Sequence, residues 1–447
     1  MAVINRLTQK DVYAVMNALV AEATGQSDLA VVDTSTFVSA GETLMQTGFE
    51  NVINSLSLIV GRTLVAARPY KAKLSSIQAI NTDAYSHRLR KISFFAKNNL
   101  PAGDWNTQLY PENLFQGKGD AQDTTSGHES VKSQWTQNQP VALEMNFSGS
   151  DVYQTSLTIY KYQLKQAFRS EEDFGQFISG IMTEKANDIE SNREAFNRMA
   201  VVQKIGETFD IGNSAQKVNL TAAYNAKFGT NYTSAQLRST YLESFLKFFV
   251  AEFKKYSDRL TERSCLYHYD ITKTVKNAET GNNETLHILR HTPKDRQHAL
   301  LYNPLFIDAQ AQVLPSIFNP EYLRIENFES VDFWQSNYDE EARSAVYVTP
   351  AVYDSTQGGQ IAGETVDLDY VVGLLFDEDG LVTDYQIDDV RTTDINARRG
   401  YWNTWYSFSR NILSDPTENC ILFFMADPAE TSNKVGEAIV GTAEAGD

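Results

Sequence analysis

The sequence predicts an α+β protein in which long helices and short strands form the core and an extended two-stranded loop projects from it. Three observations carry this reading. Residues 170–205 and 234–260 place apolar side chains at helical spacing over lengths well above the usual helix. Residues 87–97 and 140–148 read as partner strands separated by about forty polar, Gly-containing residues. Residues 371–387 read as a hairpin turned at an acidic Asp-Glu-Asp-Gly segment, and 417–425 as a buried strand.

The elements follow in chain order. TQKDVYAVMNALVAEAT (8–24) and FVSAGETLMQTGFENVINSLSLIVGRTL (37–64) read as helical pieces joined by a polar stretch, an extended arm with no compact core of its own. In PVALEMNFS (140–148), Val141, Leu143, Met145 and Phe147 alternate with Ala142, Glu144, Asn146 and Ser148, so one face is buried. From Ser170, a helix start with Asp173 at the fourth position and Glu171 and Glu172 in the first turn, the residues Phe174, Phe177, Ile178, Ile181, Ile189, Phe196 and Met199 share one expected face. Some thirty-five residues at ~1.5 Å each make a beam of about 50 Å. A Gly/Asn-rich break is expected over 206–232, then a second helix over 234–260 striped by Tyr241, Phe245, Phe248, Phe249, Phe253, Tyr256 and Leu260. Residues 265–372 mix short strands and helices and read as a separate α/β part. VVGLLFDEDGLVTDYQI (371–387) reads as a hairpin with Asp377-Glu-Asp-Gly380 as its turn, and TENCILFFM (417–425) as a buried strand; the residues from Asp427 onward are small and acidic and read as a loose tail.

Composition narrows the function. The net charge of −18 does not attract nucleic acid or an anionic membrane, and no run approaches the ~18 apolar residues of a membrane span. Cys265 and Cys420 are too few for a disulfide framework and suit a reducing cytosol; no export signal is expected at the N-terminus. The motifs do not assemble into an active site. His287-x3-His291 with His298 lacks a fourth ligand for a metal, Asp377-Glu-Asp-Gly380 lacks the spaced oxygens of a calcium loop, Ser126-Gly-His128 has no nucleophile elbow, and Gly358 to Gly363 lacks a phosphate-loop lysine. The sequence therefore predicts no catalytic, cofactor or metal residues and no enzyme. There remains DINARRGYWNTWY (394–406), with two arginines, a glycine and four aromatics. It reads either as a core strand entered through a bend at Gly400, packing Tyr401, Trp402, Trp405 and Tyr406, or as a contact in which Arg398 and Arg399 reach carboxylates of a neighbouring subunit. The two readings are compatible.

Three stretches taken together, VVGLLFDEDGLVTDYQI, INARRGYWNTWYSFSRNIL and ENCILFFM, resemble the C-terminal region of major capsid proteins of short-tailed bacteriophages. Their Asn-x-Arg-Gly-x-Tyr-Trp-Asn-type element corresponds here to Asn396, Arg398, Tyr401, Trp402 and Asn403, with Arg399 added before Gly400, and the helix start SEEDFGQFISGI is also similar. The order of parts over the whole chain resembles the Hong Kong 97 fold of tailed double-stranded DNA phage capsid proteins. The resemblance implies an N-terminal arm (1–60), a first part of a peripheral domain (61–84), an extended loop (85–150), a peripheral domain with spine helix (151–215), an apical domain (216–370), return strands of the peripheral domain (371–426) and a flexible tail (427–447).

The same resemblance implies self-assembly into hexamers and pentamers of an icosahedral or prolate head around double-stranded DNA, made in the host cytoplasm and ending in the virion. The implied partners are further copies of itself, a scaffolding protein, a portal, and decoration or head-fibre proteins, with no membrane. Arg88, Arg90, Trp105, Trp135, Arg398, Arg399, Trp402 and Trp405 are the expected inter-subunit contacts, and Gly149, Gly206 and Gly212 the expected hinges. An encapsulin-like cargo shell, a tail tube or sheath subunit and, remotely, a cytosolic enzyme are the alternatives.

Overall fold

The computed structural model describes residues 73–79, 89–95, 141–147, 151–163, 171–276, 283–305, 327–354 and 359–427, apart from isolated positions, together with short helical pieces within 13–41. In chain order the elements are β1 (Gln78–Ala79), β2 (Leu89–Phe94), β3 (Ala142–Phe147), β4 (Asp151–Tyr160), helix α1 (Glu171–Asp210), β5 (Lys217–Asn219), α2 (Leu220–Phe228), α3 (Ser234–Arg238) and α4 (Leu242–Arg259). Strands β6 (Lys273–Lys276), β7 (Asn283–Leu286), β8 (Gln297–Tyr302) and β9 (Asn327–Val331) come next, then the short helix α5 (Glu340–Ser344). The C-terminal part adds β10 (Val346–Val348), β11 (Ala351–Asp354), β12 (Gly359–Ala362), β13 (Val366–Leu368), β14 (Val371–Asp377), β15 (Leu381–Thr392), β16 (Tyr401–Ser414) and β17 (Cys420–Phe424). The chain divides into two compact units: residues 1–73, 149–196 and 384–411 form one, and 74–148, 197–383 and 412–447 the other.

The first unit is organised on the antiparallel pair β4–β16, whose register runs from Tyr401 opposite Tyr160 to Arg410 opposite Asp151. Alternation along β16 sorts its side chains: Trp402, Thr404, Tyr406 and Phe408 are buried while Trp405 is exposed. Thr155 of β4 donates to Asp188 of α1 at 3.0 Å, joining strand to helix within this unit.

The second unit is built on a five-stranded sheet of order β5-β17-β14-β8-β9. Every residue of β8, β14 and β17 is buried, as expected of central strands covered on both faces. Phe209 at the end of α1 meets Phe424 edge-on at 5.5 Å, whereas Phe249 and Phe253 of α4 meet Phe423 at 6.1 and 5.4 Å. Neighbouring residues on a strand point to opposite faces, so α1 and α4 cover opposite faces of this sheet. Ala200, Val201 and Ile205 from α1 and Phe245, Leu246 and Phe248 from α4 complete one contiguous core.

Several expectations change. The first long helix runs to Asp210, past the break expected at 206, and 217–228 forms a strand and a capped helix: Asn219 accepts from Thr221 and Ala222 at the start of α2, and Gly229 closes it at φ +65°. Met199, placed on the apolar stripe, faces solvent, while Phe196 is buried. The expected helix over 234–260 is two, because Ser239 Oγ donates to the Ala235 carbonyl and the Tyr241 amide reaches back to Gln236, letting Tyr241 stack on Tyr232 at 4.0 Å. VVGLLFDEDGLVTDYQI is not a hairpin: β14 pairs with β8 and β17, and β15 pairs with β1. Its Asp-Glu-Asp-Gly segment is a tight turn in which Asp377 accepts from the Asp379 amide and Arg296 pairs with Asp379. Strands β14 and β17, from 371–426, form the middle of the sheet that also holds β5, β8 and β9.

Candidate inter-subunit surface

The turn before β16 is fixed by one asparagine. Asn396 accepts from the Gly400 and Arg399 amides on its carbonyl (2.7 and 3.2 Å) and from the Arg398 and Arg399 amides on its side chain (3.2 and 3.1 Å), while its own amide donates to the Tyr401 carbonyl at 3.0 Å. Gly400 adopts φ +65°, a conformation that disfavours any Cβ, and its carbonyl accepts from Lys161. The outcome is that Arg398 and Arg399 are held by their backbones and exposed, and neither side chain pairs with a carboxylate among the described residues.

Past the turn, the outward face of β4–β16 carries the Tyr160–Tyr401 edge contact at 5.7 Å, the Thr158 hydroxyl donating to Asn403 at 2.7 Å, and Trp405 at 41% exposure. A groove of about 540 Å³ lies along it, lined by Gln154, Asp389, Arg391, Thr393, Trp405 and Ser407. Trp402, by contrast, is 1% exposed. The four aromatics of DINARRGYWNTWY therefore do not form one cluster. Strand alternation divides them between core and surface.

The second unit has its own exposed strand face. β2 and β3 pair from Leu89 opposite Phe147 to Phe94 opposite Ala142. Phe95, Met145, Val141, Leu143 and Phe147 pack inward with Ile271, Leu286 and Ile288, while Ile92 and Phe94 remain 50% and 60% exposed on the other side. Arg90 pairs with Glu144 across this outer face at 2.8 Å.

Beneath the hairpin lies a buried ionic network. Lys91 pairs with Asp415 and, at 2.5 Å, with Glu418; Arg290 lies 3.4 Å from Glu418 and donates to Ser93 of β2 at 2.6 Å. Lys204 of α1, 1% exposed, donates to the Asp415 carbonyl at 2.8 Å and to Glu207 at 3.1 Å. Burial alone would raise the Asp415 carboxyl, but Lys91, the Thr417 donors and Lys204 outweigh it and hold it below the usual carboxylate value. For Glu418 burial wins over Lys91 and Arg290, and its carboxyl is raised. Lys204 is raised as well, since Glu207, Cys420 and Asp415 together overcome its desolvation.

A sequence profile of the Phi29-like phage major capsid protein family matches residues 16–424, nearly the whole chain. The chain belongs to that family. No curated protein matches it. Among solved structures it is similar to the capsid of Staphylococcus phage Andhra (10% identity over 80% of this chain and 86% of that one, TM-score 0.47). It is similar also to a chain in the structure of the head fibre and inner core protein gp22 of bacteriophage P68 (11%, 79% and 85%, TM-score 0.48) and to the capsid of cyanophage P-SCSP1u (11%, 79% and 87%, TM-score 0.37).

As a phage major capsid protein, the chain is a structural component of the virion head shell and not an enzyme, and self-association is its function. Among the described residues no helix is long and apolar enough to cross a membrane. Of the expected contact residues of this capsid protein, Arg398 and Arg399 share one exposed turn, Trp405 lies on the strand that follows, Arg90 lies on the exposed hairpin face and Trp402 is in the core. Arg88, Trp105 and Trp135 fall outside the described residues, as does the expected hinge Gly149. Gly206 sits inside α1, where a Cβ would come within 2.7 Å of Val348 and 3.1 Å of Pro350; at Gly212, just past the helix, a Cβ would lie 2.1 Å from the Thr208 carbonyl oxygen. Both positions have a packing reason to be glycine. Sequence reasoning missed Ile92 and Phe94, whose alternation with Lys91, Ser93 and Phe95 was available as a signal, and the network of Lys91, Lys204, Asp415 and Glu418.

Proposed function

We propose that this capsid protein builds its shell from hexamers and pentamers of the Hong Kong 97 type, with Arg398, Arg399 and Trp405 facing a neighbouring copy. One observation carries the reading: two adjacent arginines are held exposed by a rigid turn, with no carboxylate partner among the described residues, in a chain of net charge −18. Each copy thus meets neighbours that are acidic overall, a complementary field that orients docking and fixes register. The exposed Ile92 and Phe94 give the base of the 85–150 loop an apolar surface to set against an adjacent copy, and Lys91 ties that base to the body of the subunit. Each contact is weak, and many copies sum them.

The same reading keeps 1–60 as an arm, 427–447 as a tail, a scaffolding protein and portal as assembly partners, decoration or head-fibre proteins as outer ones, and double-stranded DNA in the lumen. Assembly takes place in the host cytoplasm. The acidic balance supports a lining that does not hold the packaged genome by charge. The test is the double substitution Arg398→Glu, Arg399→Glu, read by negative-stain microscopy and circular dichroism. Folded subunits without particles are expected; normal shells would remove the two arginines from the interface.

A further inference from the structure

The assembly role leaves unused a cluster next to the hairpin base. The Cys265 thiol, an Asp270 carboxylate oxygen and a His287 ring nitrogen all lie within 4.8 Å of one another. His287 is the residue whose spacing to His291 and His298 raised the question of a metal. His291 is exposed and His298 is buried beside Phe376, so that trio has no common environment; residues distant in sequence complete the set around His287 instead.

We propose that Cys265, Asp270 and His287 bind a divalent transition-metal ion of the zinc class. The donor set selects the metal: one sulfur, one imidazole nitrogen and one carboxylate oxygen suit zinc, while magnesium and calcium take oxygen ligands only. Three protein donors leave a fourth tetrahedral position, which water fills. The frame for such a site is already built. Ser264 and Arg290 exchange two backbone bonds (2.9 and 3.0 Å), Asn213 donates to the His268 carbonyl at 2.7 Å, and the Tyr269 amide donates to Pro416 at 2.8 Å. The Cys420 amide also donates to the Tyr267 carbonyl at 2.8 Å, so the ligand loop is pinned from several elements, the rigidity a preformed site requires. His287 Nδ1 lies 2.6 Å from Asp270 Oδ2, a hydrogen bond that holds two ligands together until a cation replaces the shared proton. Burial pushes the Cys265 thiol up to about 11, so the metal has also to displace the thiol proton, which lowers affinity without changing the geometry. The ion would join the 264–271 loop to the chain just after β7, and Ile271, Leu286 and Ile288 there pack against Phe95 and Met145 of the hairpin.

The test uses the full chain, stripped with a chelator and titrated with Co²⁺ and separately with Zn²⁺. One equivalent of Co²⁺ is expected to give a thiolate-to-cobalt charge-transfer band, and Zn²⁺ to raise the melting temperature by mass action. Cys265→Ser should abolish the band and His287→Gln should weaken binding by about 10–100-fold or more, the range already seen for losing only an outer-shell partner. Cys420→Ser should retain both signals, which controls for the other thiol. A folded wild-type chain with neither band nor shift would overturn the proposal, as would a band that survives Cys265→Ser or one that disappears in a Cys420→Ser chain whose circular dichroism matches the wild type.

Discussion

Lys91 Nζ lies 2.5 Å from Glu418 Oε1 and also pairs with Asp415, so a single side chain on β2 bridges two buried carboxylates from the β16–β17 connection. Both acids are nearly inaccessible, and removing their common cation leaves charge uncompensated in a low-dielectric setting. Lys91→Met is therefore expected to cost about 3 kcal/mol, toward the lower end for a broken buried pair because Lys91 itself keeps some solvent contact and Lys204 and Arg290 remain. Urea denaturation of the unassembled subunit measures it. A cost below about 1 kcal/mol, the level of a surface pair, would deny the bridge its structural role.

The same acids give opposite pH dependences. Asp415 is held below its ordinary value, so its contribution is present above about pH 4 and is lost as pH falls through its depressed folded value. Glu418 is raised, so its charged form opposes folding above its raised value, and that cost is relieved as pH falls through this value toward about 4.3. Relative to wild type, Glu418→Gln should therefore gain most at neutral pH and lose that advantage on acidification, while the acid unfolding driven by Asp415 persists. Melting curves of the two proteins across this range check the sign; parallel profiles would show that Glu418 titrates normally.

The two tryptophans of β16 separate stability from assembly. Trp402→Ala removes a fully buried ring and is expected to cost about 3–5 kcal/mol. Trp405→Ala, on the opposite side of the strand, should cost less than about 1 kcal/mol and yet reduce particle yield severalfold. Denaturation midpoints and sedimentation of assembled material distinguish the two effects.

Two glycines of α1 make a second contrast. A Cβ at Gly180 meets nothing within 4 Å, so Gly180→Ala is expected to stabilise by about 0.5–1 kcal/mol through helix propensity. Gly206→Ala drives its methyl against Val348 and Pro350, and overpacking of about 1–3 kcal/mol should exceed the propensity gain. Stabilisation by both substitutions would show that the contact at 206 yields without cost.

Much of this architecture was legible because it is periodic. The alternation in 140–148 and the apolar run CILFF each name their element, since local spacing and burial agree there; the stripe in 170–205 names its helix by length and spacing, although Met199 on it faces solvent and Glu190 and Lys204 are buried. What failed was partner choice. Asp377-Glu-Asp-Gly380 has hairpin chemistry, yet β14 is drawn between β8 and β17, where all its residues become buried, and the turn feeds β15 to a different partner. At the candidate contact surface, Gly400 and the exposed arginines could be read from the turn signal; Trp402 and Trp405, three apart on one strand, fall on opposite faces by alternation alone, and the fold decides which of the two faces is buried. Lys204 left a faint trace, a lysine within the apolar stretch MAVVQKIG, but Lys91, Asp415 and Glu418 are single charges in a charge-rich chain and only the fold brings them together. The cluster of Cys265, Asp270 and His287 is non-local for the same reason.

This chain forms a head shell by associating with itself. Negative-stain microscopy of the chain, expressed alone and together with its neighbouring phage genes, checks this. Closed isometric or prolate shells are the expected result in at least one of the two preparations. Monomers in both, or open tubes, would contradict it.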